Sequence, residues 1–266
     1  MAMDAMWSDR FGGVARLYGG DAAERLQAAH VCVVGVGGVG SWTVEALARS
    51  GIGALTLVDL DDVCVTNINR QLPALEPTVG RPKVEVLAER IRDIHPQCAV
   101  HPRIEFFTAT TAESILGESR FDVVIDAIDS VANKCLLIAK CREAGIPVVV
   151  SGGAGGRRDP TAIRVADLAL TVRDTLLKHV RKRLRQAYGF PREEKVPFGV
   201  PAVYSEEMPV YPWSDGRVCA KPEDGRDAAI NCAGGIGTAS FVTGAFGLAL
   251  ASVAVSGIAG GAFARR

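Results

Sequence analysis

The sequence carries no net charge: 30 lysines and arginines balance 30 aspartates and glutamates over 266 residues. No global field therefore draws the chain to nucleic acid or membrane, and contact with either must come from a local patch. No Cys-x-x-Cys pair occurs among the seven cysteines, at 32, 64, 98, 135, 141, 219 and 232, so neither a zinc site nor a disulfide framework is indicated. The opening M-A-M-D-A-M-W-S-D-R lacks a basic n-region and an apolar h-region. No signal peptide is visible there, and a cytoplasmic globular protein is expected. Neither an internal repeat nor a low-complexity linker divides the chain, so residues 1–266 read as a single domain.

What is present starts with residues 31–41, V-C-V-V-G-V-G-G-V-G-S, followed by the helical pattern W-T-V-E-A-L-A-R-S-G. An apolar run of buried-strand type stops at a glycine turn, and Gly35, Gly37 and Gly40 match G-x-G-x-x-G. The first glycine permits the tight turn, the second lets a phosphate approach the backbone, and the third lets the helix pack against the strand. Such a turn leaves N–H groups of a helix N-terminus facing an anion.

Apolar runs and helical segments then alternate. Strands are expected at 54–59, 121–127 and 147–151, an extended piece at 98–107, and helices at 83–94 and 131–144. Asp21 is expected to cap a short helix ending near Ala28. This order predicts an α/β fold, a Rossmann-like and mostly parallel sheet with helices on both faces, with the binding crevice at the carboxyl ends of the strands. Residues 10–155 form the nucleotide-binding core in this reading and residues 156–266 an elaboration. Within the elaboration, 163–165 reads as extended and 168–188 as a basic helix. Residues 189–227, with six prolines, read as irregular, either a functional loop or a partly disordered segment. The apolar stretch 233–263 is long enough to span a bilayer. It lacks aromatic or basic anchors at two interfaces, and burial in a core or dimer interface is expected rather than stable membrane insertion.

The polar residues at the strand ends carry the chemistry. Asp59, about twenty residues beyond Gly40, suits ribose hydroxyls, and an NAD-dependent oxidoreductase would look the same so far. A simple dinucleotide fold has no need for Asn67, Asn69, Arg70, Gln71 and Lys83 concentrated after the second strand. A triphosphate attacked at its α-phosphate does need such donors and cations. Asp126 and Asp129 of D-A-I-D-S fall at the same edge, and a carboxylate there can hold Mg²⁺, which takes only one or two from a protein.

In order, G-x-G-G-x-G-S, D-x-D-x-V-x-x-x-N-x-x-R-Q, V-G-x-x-K and D-x-x-D resemble the ThiF/MoeB/HesA superfamily, bacterial relatives of ubiquitin-activating enzymes. The resemblance implies that a substrate carboxylate attacks the α-phosphate of ATP, giving an acyl-adenylate and pyrophosphate. By position it assigns Gly37 and Gly38 to the nucleotide turn, with Gly35, Gly40 and Ser41 beside them. It assigns Asp59 to the ribose, Asn67, Arg70 and Lys83 to the phosphates, and Asp129 to Mg²⁺, with Asp61 and Gln71 completing the nucleotide-binding set. An N-terminal arginine of this family crosses a homodimer interface to the partner's phosphates; Arg16 is the first candidate and Arg10 the second. The longer stretches R-F-G-G-V-A-R-L-Y-G, V-Y-P-W-S-D-G-R-V-C-A and N-C-A-G-G-I-G-T-A-S-F-V-T resemble the tRNA threonylcarbamoyladenosine dehydratase family in particular. That implies activation of the carboxylate of threonylcarbamoyladenosine in tRNA, followed by cyclisation with net loss of water. A sulfur-acceptor or cysteine desulfurase partner is a further implication. The alternative within the superfamily, adenylation of the C-terminus of a sulfur-carrier or ubiquitin-like protein, commonly accompanies zinc-binding Cys-x-x-Cys pairs that are missing here.

Three features stand apart from the motifs. Cys232 occupies the region where protein-activating relatives carry a reactive cysteine, yet cyclisation of an acyl-adenylate needs no covalent enzyme intermediate. The run 176–186, L-L-K-H-V-R-K-R-L-R-Q, suits either a wet helix face or phosphate contact with tRNA. In the loop G-G-A-G-G-R-R-D-P, Arg157 or Arg158 could reach the substrate.

Overall fold

The computed structural model describes residues 5–194, 196–223 and 236–263. β1 (His30–Val34) lies inside a seven-stranded sheet, between β2 (Ala54–Val58) and β4 (Val123–Asp126). Beyond β2 the edge is β3 (Ala99–Arg103); beyond β4 come β5 (Val148–Ser151), β7 (Pro201–Ser205) and β6 (Ile163–Asp167). All neighbours pair in parallel except β6 with β7. The chain runs outward from β1 to β2 and β3, then returns to the other side of β1 for β4. That reversal opens a crevice at the carboxyl ends of β1 and β4, the topological switch point where ligands bind in such sheets.

Alternate strand residues feed two cores. Val31, Val33, Leu55, Leu57, Val123 and Ile125 face α2 (Gly20–Ala28), α3 (Gly40–Arg49), α4 (Lys83–Ile94) and α8 (Ser240–Ala259). Cys32, Val34, Val58, Val124, Val148 and Val150 face α5 (Ala112–Gly117), α6 (Val131–Glu143) and α7 (Thr175–Ala187). Burial on both faces explains why the strands are near-continuous apolar runs rather than alternating ones. α1 (Ala5–Tyr18) sits outside this frame, anchored by buried Trp7, whose indole N–H donates to Gly51 O at 2.9 Å, and by Phe11.

Three local expectations give way. The segment 189–227 is not irregular throughout: Pro201–Ser205 is a buried strand between β5 and β6, and Tyr211–Pro212 (β8) pairs with Val218–Cys219 (β9). The strand is only five residues long and begins at proline, a position the ladder tolerates, so its own pattern was too short to stand out. The helix expected over 168–188 starts later, at Thr175, after a short 3₁₀ turn (Leu168–Leu170) and a break where Arg173 takes φ 55°. Asp21 is inside the first turn of α2 rather than at its cap, where Gly19 stands with φ 91°. A carboxylate there still complements the helix dipole.

α8 explains the apolar C-terminal stretch. It packs along α3 and across β4, β5 and β7, and 61% of its most apolar window is buried. Thr43 Oγ1 donates to Gly247 O at 3.1 Å, a close helix–helix approach that accounts for the small residues. Phe241 and Leu248 stay exposed, at 58% and 52%.

Candidate functional site

The glycine turn is fixed by two steric demands. Gly35 has φ 85°, a left-handed backbone that other residues resist, and its N–H donates to Val58 O at 2.9 Å. A Cβ on Gly40 would lie 1.9 Å from Gly35 O, so only glycine lets α3 begin directly over the turn. Asp59, at the end of β2, ties the turn down: one oxygen accepts from Val36 N at 2.8 Å and the other from Asp61 N at 2.9 Å. Burial pushes its carboxyl above the usual range, against the pull of nearby Lys83 and these two hydrogen bonds.

A cavity of about 620 Å³ opens at this turn. It is lined by Gly35, Gly37, Gly38, Asp59, Asp61, Asn67, Arg70, Gln71, Lys83 and Asp129, ten positions singled out by sequence and supplied by three strand ends. Lys83, 4% exposed at the start of α4, places Nζ 2.8 Å from Asp61 Oδ2. Asn67 is buried in a 3₁₀ turn (Val65–Asn67), where its Oδ1 accepts from Cys64 N at 3.1 Å. Arg70 Nη1 donates to Thr66 O at 2.6 Å and Asn69 Oδ1 at 3.1 Å. The amide of Gln71 is buried beside Gly37, and its Oε1 has no partner among the described residues. Asp129 is exposed at the rim and makes no hydrogen bond or ion pair among the described residues, so its carboxylate is open to a ligand. No group of three His, Cys, Asp or Glu able to hold a metal occurs among the described residues.

Other sequence candidates lie elsewhere. Ser41 is fully buried and its Oγ accepts from Leu72 N at 3.2 Å, joining α3 to the segment after Gln71; neither it nor Gly40 lines the cavity. Arg16 is exposed on α1 and does not line its own chain's cavity. Arg10 borders a different hollow of about 500 Å³ with Arg49, Arg90 and Asp93. Asp126 is fully buried and paired with fully buried Lys134, Nζ to Oδ1 2.8 Å, so it supports the loop carrying Asp129 from beneath. Arg157 cannot reach a substrate. It is 4% exposed, donates to Gly153 O, Ser205 O and Glu207 O, and lies 3.3 Å from Asp174. Arg158 is exposed, and its main-chain N–H donates to Glu207 Oε2. Cys232 falls outside the described residues.

The structure adds contacts that no motif assigned. Trp42 Nε1 and Thr243 Oγ1 both donate to Arg70 O, at 3.1 Å each, so α3 and α8 jointly set the backbone that presents Arg70. Asn69 Nδ2 donates to Thr238 O at 2.9 Å. Phe107, Asn133 and Leu176 line the remaining walls. Each comes from a distant part of the chain and only the tertiary fold gathers them.

A switch-point cavity with a phosphate-type turn, two cationic side chains and a free carboxylate defines a nucleotide-dependent enzyme of the adenylating type, and the chain belongs to the ThiF family, whose profile matches residues 13–260. Among its relatives is the tRNA threonylcarbamoyladenosine dehydratase of Escherichia coli K12, 51% identical over 250 residues, which cover 94% of this chain and 93% of that protein. The crystal structure of E. coli tRNA N6-threonylcarbamoyladenosine dehydratase, TcdA, in complex with ATP superposes over the whole of both chains with a TM-score of 0.87 at 45% identity. The same enzyme in complex with AMP gives 0.86 at 45%, again over both chains in full.

Proposed function

We propose that this chain is an ATP-dependent tRNA threonylcarbamoyladenosine dehydratase: it adenylates the carboxylate of threonylcarbamoyladenosine in tRNA and cyclises it. The observation that carries this reading is the convergence of Gly37, Gly38, Asp59, Asn67, Arg70, Lys83 and Asp129 on one cavity, in a chain that matches the dehydratase of E. coli end to end. The complexes of that enzyme with ATP and with AMP agree with adenylate chemistry.

The turn at Gly37 and Gly38, with the N-terminus of α3 behind it, receives the phosphates, and Asp59 is placed for the ribose. Lys83 and Arg70 offset the charge that builds on the α-phosphate as the substrate carboxylate attacks. Asp61 holds the Lys83 ammonium in the cavity, and the pinned carbonyl of Arg70 fixes the backbone from which its side chain reaches. The first step forms the acyl-adenylate and expels pyrophosphate. A nucleophile within the same side chain then attacks the activated carbonyl, and AMP departs with one former carboxylate oxygen. The net change in the nucleoside is the loss of one water. Asp129 would hold Mg²⁺, which would supply positive charge to offset that of the triphosphate.

A homodimer is part of the proposal. Arg16 stands off its own site, and the exposed Phe241 and Leu248 of α8 suit contact with a second copy. A cytoplasmic location is part of the same proposal. A sulfur-acceptor or cysteine desulfurase partner is compatible with the family resemblance.

The direct test is mass spectrometry of tRNA nucleosides after incubation with the protein, ATP and Mg²⁺. The threonylcarbamoyl nucleoside should lose one water. With ¹⁸O in its carboxylate, label should appear in AMP. An unaltered nucleoside pool would reject the proposal.

A further inference from the structure

We infer that the exposed face of α7 is the track along which the tRNA backbone leaves the catalytic cavity, with Lys178, Lys182 and Arg183 as its phosphate contacts. The inference rests on the reading of tRNA as substrate and goes beyond it by naming the surface.

In a chain of zero net charge, attraction for a polyanion has to be local. α7, T-L-L-K-H-V-R-K-R-L-R-Q-A, carries five lysines and arginines and no acidic residue. Its cap, Asp174, is the nearest acid in sequence, but it is buried and fully engaged. Oδ1 accepts from Leu177 N, while Oδ2 accepts from Gly153 N and pairs with Arg157. Two of the five cations also have inward duties. Arg181 donates to Thr171 Oγ1, and Arg185 donates to Pro191 O at 3.1 Å and lies 5.2 Å from the Phe198 ring centre. Lys178, Lys182 and Arg183 are exposed and make no hydrogen bond or ion pair through their side chains among the described residues. Leu177, Val180 and Leu184 bury the opposite face, so Lys178, His179 and Lys182 share the outward side, while Arg183 lies on its flank, in line with Leu176. Lys178 and Lys182, one turn apart, repel each other with no acid between them. A stripe of that kind is relieved by an external anion.

Its position supplies the second argument. Leu176, in the first turn of α7, lines the cavity, and Asp174 is bonded to the glycine loop that forms another wall. At 1.5 Å per residue, the stripe extends from about 3 Å to about 10 Å beyond Leu176. A nucleoside must be unstacked to have its side chain enter the cavity, which leaves the flanking phosphates at the rim where α7 begins.

The test uses the full chain and a threonylcarbamoyladenosine-bearing tRNA, with Kd measured across a salt series. The triple variant Lys178→Gln, Lys182→Gln, Arg183→Gln should raise Kd at least about tenfold near 0.1 M salt. It should also flatten the slope of log Kd against log salt by about two, while ATP affinity is unchanged. A control pair at the other end of the sheet, Arg92→Gln and Arg120→Gln, should leave Kd and slope as they were. A triple variant with the wild-type Kd and slope would overturn the inference. Failure of the wild-type protein to dehydrate a tRNA that it binds through α7 would instead reject the functional reading and leave the surface standing.

Discussion

Replacing Lys134 by methionine would nearly keep the volume of the side chain while removing its charge and its hydrogen-bond donors. In the native fold Lys134 Nζ lies 2.8 Å from Asp126 Oδ1 and 3.3 Å from Asp126 O, and both side chains are fully buried. Without it, among the described residues, Oδ1 keeps a single donor, Ile128 N at 3.1 Å, and Oδ2 already has none. Removing one partner of a buried pair leaves an uncompensated charge and costs about 3–5 kcal/mol. Against a total stability of about 5–15 kcal/mol, that is a large share. Equilibrium urea unfolding measures it. The loss should depend on pH with a defined sign. Burial already holds the Asp126 carboxyl above its ordinary range, and the lysine opposes that. In Lys134→Met the folded pKa rises further, so the folded state takes up a proton that the unfolded chain has released. Stability of the variant is then highest below the ordinary aspartate pKa and declines as pH rises through the folded value, by up to about 1.4 kcal/mol per pH unit. The double variant Asp126→Asn, Lys134→Met should recover most of the loss at neutral pH. A single variant within about 1 kcal/mol of wild type, with a flat pH profile, would refute the reasoning.

Lys83→Ala should lower kcat for dehydration by about 10²–10³, the range for losing one group that stabilises transition-state charge, with smaller effect on ATP affinity; single-turnover kinetics separate the two. Gly40→Ala should lower both ATP affinity and stability, because the new Cβ meets Gly35 O at 1.9 Å and the turn must open. A thermal melt should show a cost of about 1–3 kcal/mol. Glu45 accepts from Arg90 at 2.6 Å and from Arg49 at 2.7 Å. Burial alone would push its carboxyl up, but these hydrogen bonds and charges hold it below the usual glutamate value. Its contribution to stability is therefore present above the ordinary glutamate pKa and lost as pH falls through the lower folded value. The stability gap between wild type and Glu45→Gln should close over that acidic window in urea titrations.

Residues 31–83 already determine the nucleotide turn and the polar set beside it, because their demands are local. Gly35 must take a positive φ, Gly40 must admit a neighbouring carbonyl, and α4 starts at Lys83 directly after Pro82. The alternation of apolar runs and helical periods likewise carries a mostly parallel sheet. Other features depend on partners far along the chain and leave no periodic trace. Five residues after a proline-rich stretch become a buried strand only because β5 and β6 offer it edges on both sides. Arg157, which by sequence could have faced substrate, turns inward because Asp174 and three carbonyls meet there. The long apolar helix is a core element because α3 and the sheet cover one of its sides. Backbone geometry is written into short stretches, since it answers to the residue itself. The environment of a side chain answers to whatever the folded chain brings against it.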